Sequence, residues 1–172
     1  MLKGTYVGLR AIERADLPTL LKWRNQPELR QYFREYRELS MEHQVNWYEK
    51  MLNDPSNLMF AVINIENKDI IGACGLCYID WKNRNAEVSI YIGEDFLYVD
   101  EKYAPDAVGV LVEYAFSELC LHRLWVEVFD FDTKKQSLFI KSGFELEGRH
   151  RQKYWTIKQW HDSLFYGLVK EE

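Results

Sequence analysis

The stretch from Ala86 to Phe116 constrains this chain more than any other, because it reads as strand, loop and helix in that order. In AEVSIYI, Val88, Ile90 and Ile92 fall on one face, and Glu87, Ser89 and Tyr91 on the other. From Tyr103 onward, Ala104, Ala107, Val108, Leu111, Ala115 and Leu119 recur at spacings of three and four, which makes one apolar helix face. Pro105 suits the first turn of that helix, where its missing N–H removes no bond. The intervening loop, GEDFLYVDEK, leads into backbone N–H groups that the helix itself leaves unpaired, and such groups can hold an anion such as phosphate. A strand edge feeding this loop suits a long ligand with a phosphate at one end.

Around this unit the chain divides into short elements. Thr5 to Ile12 reads as a first strand and Arg14 to Asn25 as a helix. The segment QPELRQYFREYRELS is irregular, and Ser40 caps a second helix carrying His43, Trp47 and Tyr48. Leu58–Ile65 and Ile70–Ile79 form a hairpin around the turn 66–69. Leu124–Phe129 is a strand, and Asp132–Ser142 is a short helix with Asp132 as its cap and Gly143 as its left-handed stop. Glu145–Trp155 and Ser163–Lys170 are the last two strands. The order β-α-α-β-β-β-α-β-α-β-β gives an α/β (α+β) fold with a mixed, mostly antiparallel sheet and helices on both faces. With 172 residues, no linker and no repeat, residues 1–172 are expected to form one domain.

Composition narrows the partners. A net charge of −5 without a basic run argues against nucleic acid. No apolar run approaches the roughly 20 residues that span a bilayer, and the N-terminal segment lacks a signal-peptide core, so no membrane partner is expected. Three cysteines without an export signal point to a reducing cytoplasm. Cys74 and Cys77 form a CxxC within a strand, which places them on opposite faces and reads as two core thiols. The four histidines do not cluster, so no metal site is expected.

The spacing from Tyr103-Ala104 through Leu121-His122-Arg123 to Lys141-Ser142-Gly143-Phe144 resembles the GCN5-related N-acetyltransferases, over nearly the whole chain. It is most similar to the branch of the ribosomal-protein alanine and amino-sugar-nucleotide acetyltransferases. The resemblance implies a single-domain GNAT fold and transfer of an acetyl group from acetyl-coenzyme A (acetyl-CoA), as cosubstrate, to a primary amine. The acceptor is then a small molecule or peptide: an amino-sugar nucleotide or a protein N-terminus. The alternative is a degenerate member that binds a ligand or partner without acetyl transfer.

The resemblance also assigns residues. The strand holding Glu87 parts from its neighbour, so that the backbone of Ser89, Ile90 and Ile92 meets the pantetheine arm, with Glu87 as general base. The pyrophosphate loop falls on Val99-Asp100-Glu101-Lys102-Tyr103-Ala104, of which Lys102, Tyr103 and Ala104 are the expected coenzyme contacts. Here only Ala104 fits the family pattern. Lys102 replaces a glycine that lets the backbone approach phosphate, and Glu94, Asp95, Asp100, Glu101 and Asp106 surround it. Asp132 stands where the family has an Asn that bonds the pantetheine, and Phe139 stands where many members have a Tyr general acid. Tyr91 and Tyr103 are substitute proton donors, and Lys134, Lys135 and Lys141 lie near the coenzyme nucleotide, with Lys135 the expected contact. For the acceptor, the pattern WRN…R…EHQVNWYEKML points to Arg24, Asn25 and Trp47, with Arg30 or Arg34 meeting a phosphate. Trp155, Trp160, Phe165 and Tyr166 mark the C-terminal strands as a homodimer interface.

Overall fold

The computed structural model describes residues 1–171. Its first elements are β1 (Leu2–Lys3), β2 (Val7–Ala11), α1 (Leu17–Asn25), the single turn α2 (Pro27–Arg30) and α3 (Met41–Leu52). The hairpin strands β3 (Leu58–Asn64) and β4 (Ile70–Asp80) follow, then β5 (Asn85–Ile92) and α4 (Tyr103–Glu113), which runs on through a π turn to Glu118. Strand β6 (Arg123–Phe129), helix α5 (Thr133–Lys141) and the hairpin β7 (Glu145–Thr156) and β8 (Gln159–Val169) complete the chain.

The strands form one sheet in the order β1-β2-β3-β4-β5-β6-β8-β7, and only the β5–β6 pair is parallel. This is the mixed, mostly antiparallel sheet that the strand pattern predicts. The alternation along β5 holds. Val88, Ile90 and Ile92 are buried and belong to the same core as Ala104, Ala107, Val108 and Leu111 of α4. On the opposite face Tyr91 meets the edge of Trp23 from α1 and of Phe33. Trp23 is a core anchor, and a Cβ on Gly93 would collide with its indole, which is why glycine follows β5.

Two differences from the sequence reading have local causes. The segment after α1 is not wholly irregular: Pro27 starts a helical turn, because its fixed φ fits that position. The C-terminal hairpin is tighter than the expected strands Glu145–Trp155 and Ser163–Lys170 imply. Its loop is Ile157-Lys158, both at positive φ (50° and 59°), a two-residue hairpin geometry without the usual Asn-Gly signal. Tyr166 is 3% exposed and packs in the core, so of the expected interface aromatics Trp155 and Trp160 are the exposed pair, stacked edge to face at the hairpin tip.

Candidate active site

The site is set by where β5 and β6 stop pairing. Their ladder covers Asn85–Arg123, Ala86–Leu124 and Glu87–Trp125, and beyond Glu87 the two strands part. The loop after β5 folds back so that Ile92 and Tyr98 exchange both backbone hydrogen bonds at 2.8 Å. Backbone groups alternate between the two edges of a strand. The Val88 N–H still belongs to the last rung, so the C=O of Val88 and the N–H and C=O of Ile90 face the opening, while those of Ser89 face β4, where it pairs with Gly75. Ile90 is thus the predicted backbone contact that looks into the cleft. Ile92 looks the same way, but Tyr98 takes its groups.

On the sheet face that carries Glu87, Ser89 and Tyr91 lies a cavity of about 760 Å³. Glu87 sits at its foot, 1% exposed, with Arg34 as the hydrogen-bonding partner of its carboxylate. The same guanidinium reaches Glu127 of β6 at 3.3 Å. Glu127 also accepts hydrogen bonds from Lys153 Nζ (2.6 Å) and Ser163 Oγ (2.5 Å). Burial pushes the Glu87 pKa above the ordinary carboxylate value, and the nearby Arg34 opposes that rise without cancelling it. For Glu127, burial acts in the same direction, but the bonds from Lys153 and Ser163 outweigh it and hold the carboxyl below its usual range.

At the start of α4 a carboxylate already fills the anion position. Asp100 accepts hydrogen bonds from the backbone N–H of Lys102 (3.0 Å), Tyr103 (2.8 Å) and Ala104 (2.8 Å). Lys102 has φ −113°, so this turn makes no demand that only glycine can meet. Its ammonium lies over the rings of Tyr6 (5.0 Å) and Tyr103 (4.8 Å), a cation–π contact directed at the β1–β2 turn. Asp106, counted among the acids of the loop, instead accepts from the backbone N–H of Thr5, Tyr6 and Val7 and fixes that turn to α4.

At the other wall of the cleft, Asp132 caps α5 and is 2% exposed. It accepts a hydrogen bond from the hydroxyl of Tyr98, whose ring stacks on Tyr32 with centroids 4.1 Å apart. Burial raises the pKa of Asp132 and lowers that of Lys135, which lines the same cavity. Phe139 is fully buried and packs edge-on against Phe144, away from the cavity lining. Of the two substitute tyrosines, Tyr91 lines the cavity, with burial pushing its pKa to about 12. The Tyr103 hydroxyl instead lies 3.4 Å from Asn64 Nδ2, outside that lining.

The expected acceptor residues separate. Arg24 and Trp47 line the cavity, Arg24 with its guanidinium 4.4 Å from the Phe33 ring centroid. Asn25 does not line it. Its side chain bonds the backbone N–H (2.9 Å) and C=O (2.7 Å) of Leu39 and pins the segment between α2 and α3. Cys77 lines the cavity with its pKa pushed up to about 11 by burial, while Cys74 is buried in the core. Among the described residues no His, Cys, Asp and Glu come together as a metal-binding group. Sequence reasoning missed the Arg34 bridge, the part played by Glu127 and the Asp100 seat. The alternation of β6 gave a signal for Glu127, because it is a charged residue between Val126 and Val128.

The model of the acetyltransferase (GNAT) domain family matches residues 7–145. The chain belongs to that family. It is 28% identical over 170 residues to the uncharacterized N-acetyltransferase p20 of Bacillus licheniformis, covering 95% of this chain and 93% of that one. It is 26% identical over 154 residues to the spermidine N(1)-acetyltransferase of Vibrio cholerae, covering 90% and 87%. The crystal structure of the Vibrio cholerae spermidine N-acetyltransferase in complex with CoA and spermine superimposes with a TM-score of 0.87, at 25% identity, over 95% of each chain. The chain is an N-acetyltransferase that takes its acetyl group from acetyl-CoA and acts on amines. The open β5–β6 edge fits the pantetheine arm of that cosubstrate, since the Val88 C=O and both backbone groups of Ile90 lie past the last rung of the ladder. The α4 amides, by contrast, fit a pyrophosphate only when the Asp100 carboxylate leaves them. Among the described residues no helix is long and apolar enough to cross a membrane.

Proposed function

We propose that this enzyme acetylates a primary amine on a molecule that also carries an anionic group, with an amino-sugar nucleotide as the leading class and a protein N-terminus as the second. The observation that carries this reading is the charge of the cavity. Of its carboxylates, Glu35, Glu87 and Glu127 are paired with Arg37 and Arg34, and Asp54 and Asp132 are held by hydrogen bonds from Ser56, Asn57 and Tyr98, whereas Arg24, Lys50 and Lys135 line it and make no ion pair among the described residues. A polyamine needs carboxylates for its ammonium groups beyond the reacting one. An anionic acceptor needs uncommitted cations, and Arg24 and Lys50 supply them. Trp47, 38% exposed at the rim, offers a face for a sugar or base.

Glu87 is the proposed base. An amine near pKa 10.4 is almost wholly protonated at neutral pH and must lose a proton before it can attack. A buried carboxylate at the foot of the cavity, with its proton affinity raised, suits that task. Acetyl-CoA supplies the acetyl thioester. The backbone N–H of Ile90 faces the cleft and is the proposed donor to the oxygen that gains negative charge. Lys135 lines the same space and, with Phe139 outside it, is the proposed partner for a leaving thiolate. A homodimer through the β7–β8 hairpin is part of this reading, supported by the exposed Trp155–Trp160 pair; a monomeric mass by sedimentation removes it.

The test is a release assay for free thiol with acetyl-CoA and a panel of amines. An amino-sugar nucleotide or a short peptide should turn over, and Arg24→Ala with Lys50→Ala should raise its KM about tenfold or more. Spermidine turning over better than both, unaffected by those substitutions, would refute the anionic acceptor.

A further inference from the structure

We propose that Glu87 and Glu127 form the seat for the ammonium group of the acceptor, and that Arg34 holds this seat until the acceptor displaces it. The inference rests on the reading that amine acetylation takes place in this cavity. Glu87 stands on the last rung of the β5–β6 ladder, opposite Trp125, and Glu127 stands just past that rung on the other arm. Both carboxylates are deep, at 2% and 7% side-chain exposure, yet the cation between them comes from outside the sheet and is 40% exposed. Arg34 belongs to a segment between α2 and α3 without helix or strand ladder, so its withdrawal breaks no backbone pairing of the sheet.

Stripping a cation from two buried carboxylates is strongly unfavourable, whereas replacing one cation by another is not. Exchange is therefore the low-cost route by which the seat opens. A primary ammonium carries three donors and is more compact than a guanidinium, so it can bond both carboxylates from the place Arg34 occupies. The two glutamates are not equivalent in this exchange. Glu127 keeps Lys153 and Ser163 when Arg34 leaves. Glu87 has no other hydrogen-bonding partner among the described residues, so the incoming ammonium becomes its only donor. The geometry thus delivers the proton to be removed to the carboxylate proposed to remove it.

The experiment uses methylammonium as the probe, titrated by NMR into wild-type protein, Arg34→Met and the double variant Arg34→Met/Glu87→Gln, each checked for a cooperative unfolding curve. Arg34→Met should bind the probe at least tenfold tighter than wild type, and the double variant should lose that gain. A folded Arg34→Met that binds no tighter overturns the proposal, as does a gain that survives Glu87→Gln. If Arg34→Met does not fold, Arg34→Gln, which keeps a hydrogen-bond donor but loses the charge, should show a gain of about threefold, and its absence is equally decisive. Acetylation undiminished in Glu87→Gln, together with a probe gain in Arg34→Met that the double variant loses, would sink the proposed base while leaving the cation seat standing.

Discussion

Replacing Asp100 by Ala tests how this chain holds its cosubstrate. The Asp100 carboxylate bonds three successive amides at the start of α4, where a pyrophosphate would otherwise be received. Capping side chains of this kind contribute about 1–2 kcal/mol. The apo protein should therefore melt lower by roughly 2–8 °C, given about 2–4 °C per kcal/mol for a chain of this size. A cosubstrate whose phosphates take those amides must first displace the carboxylate, so the same 1–2 kcal/mol returns as affinity once the carboxylate is gone. At 1.4 kcal/mol per factor of ten, CoA should bind about 5- to 30-fold tighter to Asp100→Ala than to wild type. Calorimetric titration with CoA and, separately, with pantetheine reads this directly. The gain should appear with CoA and be absent with pantetheine, which carries no pyrophosphate. Asp100→Asn, which keeps an acceptor oxygen and loses the charge, should fall between the two. Unchanged CoA affinity in Asp100→Ala, or an equal gain with pantetheine, would show that the phosphates bind elsewhere and refute the competition.

Three further outcomes follow from the same structure. Burial raises the proton affinity of Glu87, so kcat/KM should rise with pH through an inflection above the ordinary carboxylate value, and Glu87→Gln should lower the rate and remove that inflection; an inflection that persists excludes Glu87 as its source. Phe139→Tyr should not restore a proton donor. The ring is fully buried, an added hydroxyl without a partner costs about 1–3 kcal/mol, and a tenfold rise in kcat would contradict the placement of the ring. Gly143→Ala should destabilise by about 1 kcal/mol in a denaturant titration, because Gly143 ends α5 at φ +88°, and a neutral result would mean the turn relaxes to negative φ.

The parts of this molecule that were legible in the sequence are those with a period. The two-residue alternation of β5 and the three-and-four spacing of α4 announced the central unit, and the buried faces are those the spacing named. The Ser40 cap and the Gly143 stop were equally plain, since each rests on one residue's local chemistry. The pairing of distant charges had no such signal. Arg34 meets Glu87 across 53 positions and Glu127 across 93, and nothing local distinguishes Arg34 from its neighbours Arg30 and Arg37. The acidic loop misled for a related reason. Counted as five acids around Lys102, it reads as repulsion of phosphate, but Asp100 and Asp106 are spent on backbone amides and Lys102 turns to two aromatic rings.

Those distant pairings share a pattern that bears on mechanism. Three groups face the site, and each is satisfied from within the chain: Glu87 by Arg34, the α4 amides by Asp100, and Asp132 by the Tyr98 hydroxyl. Buried polar groups left unpaired are expensive, so a site for a long, charged cosubstrate and a charged acceptor must be either wet or internally paired when empty. At these three groups it is paired, and on the proposed reading each of their ligand contacts is an exchange of one partner for another. Exchange lowers net affinity, but it favours ligands that return the displaced charge in the right place. On the proposed reading a cation replaces Arg34 and an anion replaces Asp100. Tyr98→Phe probes the third exchange. It should destabilise the apo protein by about 1–3 kcal/mol, because the buried Asp132 loses a donor. Asp132 is then freed for the pantetheine amides, so pantetheine as well as CoA should bind tighter, which sets this substitution apart from Asp100→Ala. Equal or weaker pantetheine binding in Tyr98→Phe would show that Asp132 serves α5 alone and takes no part in receiving the cosubstrate.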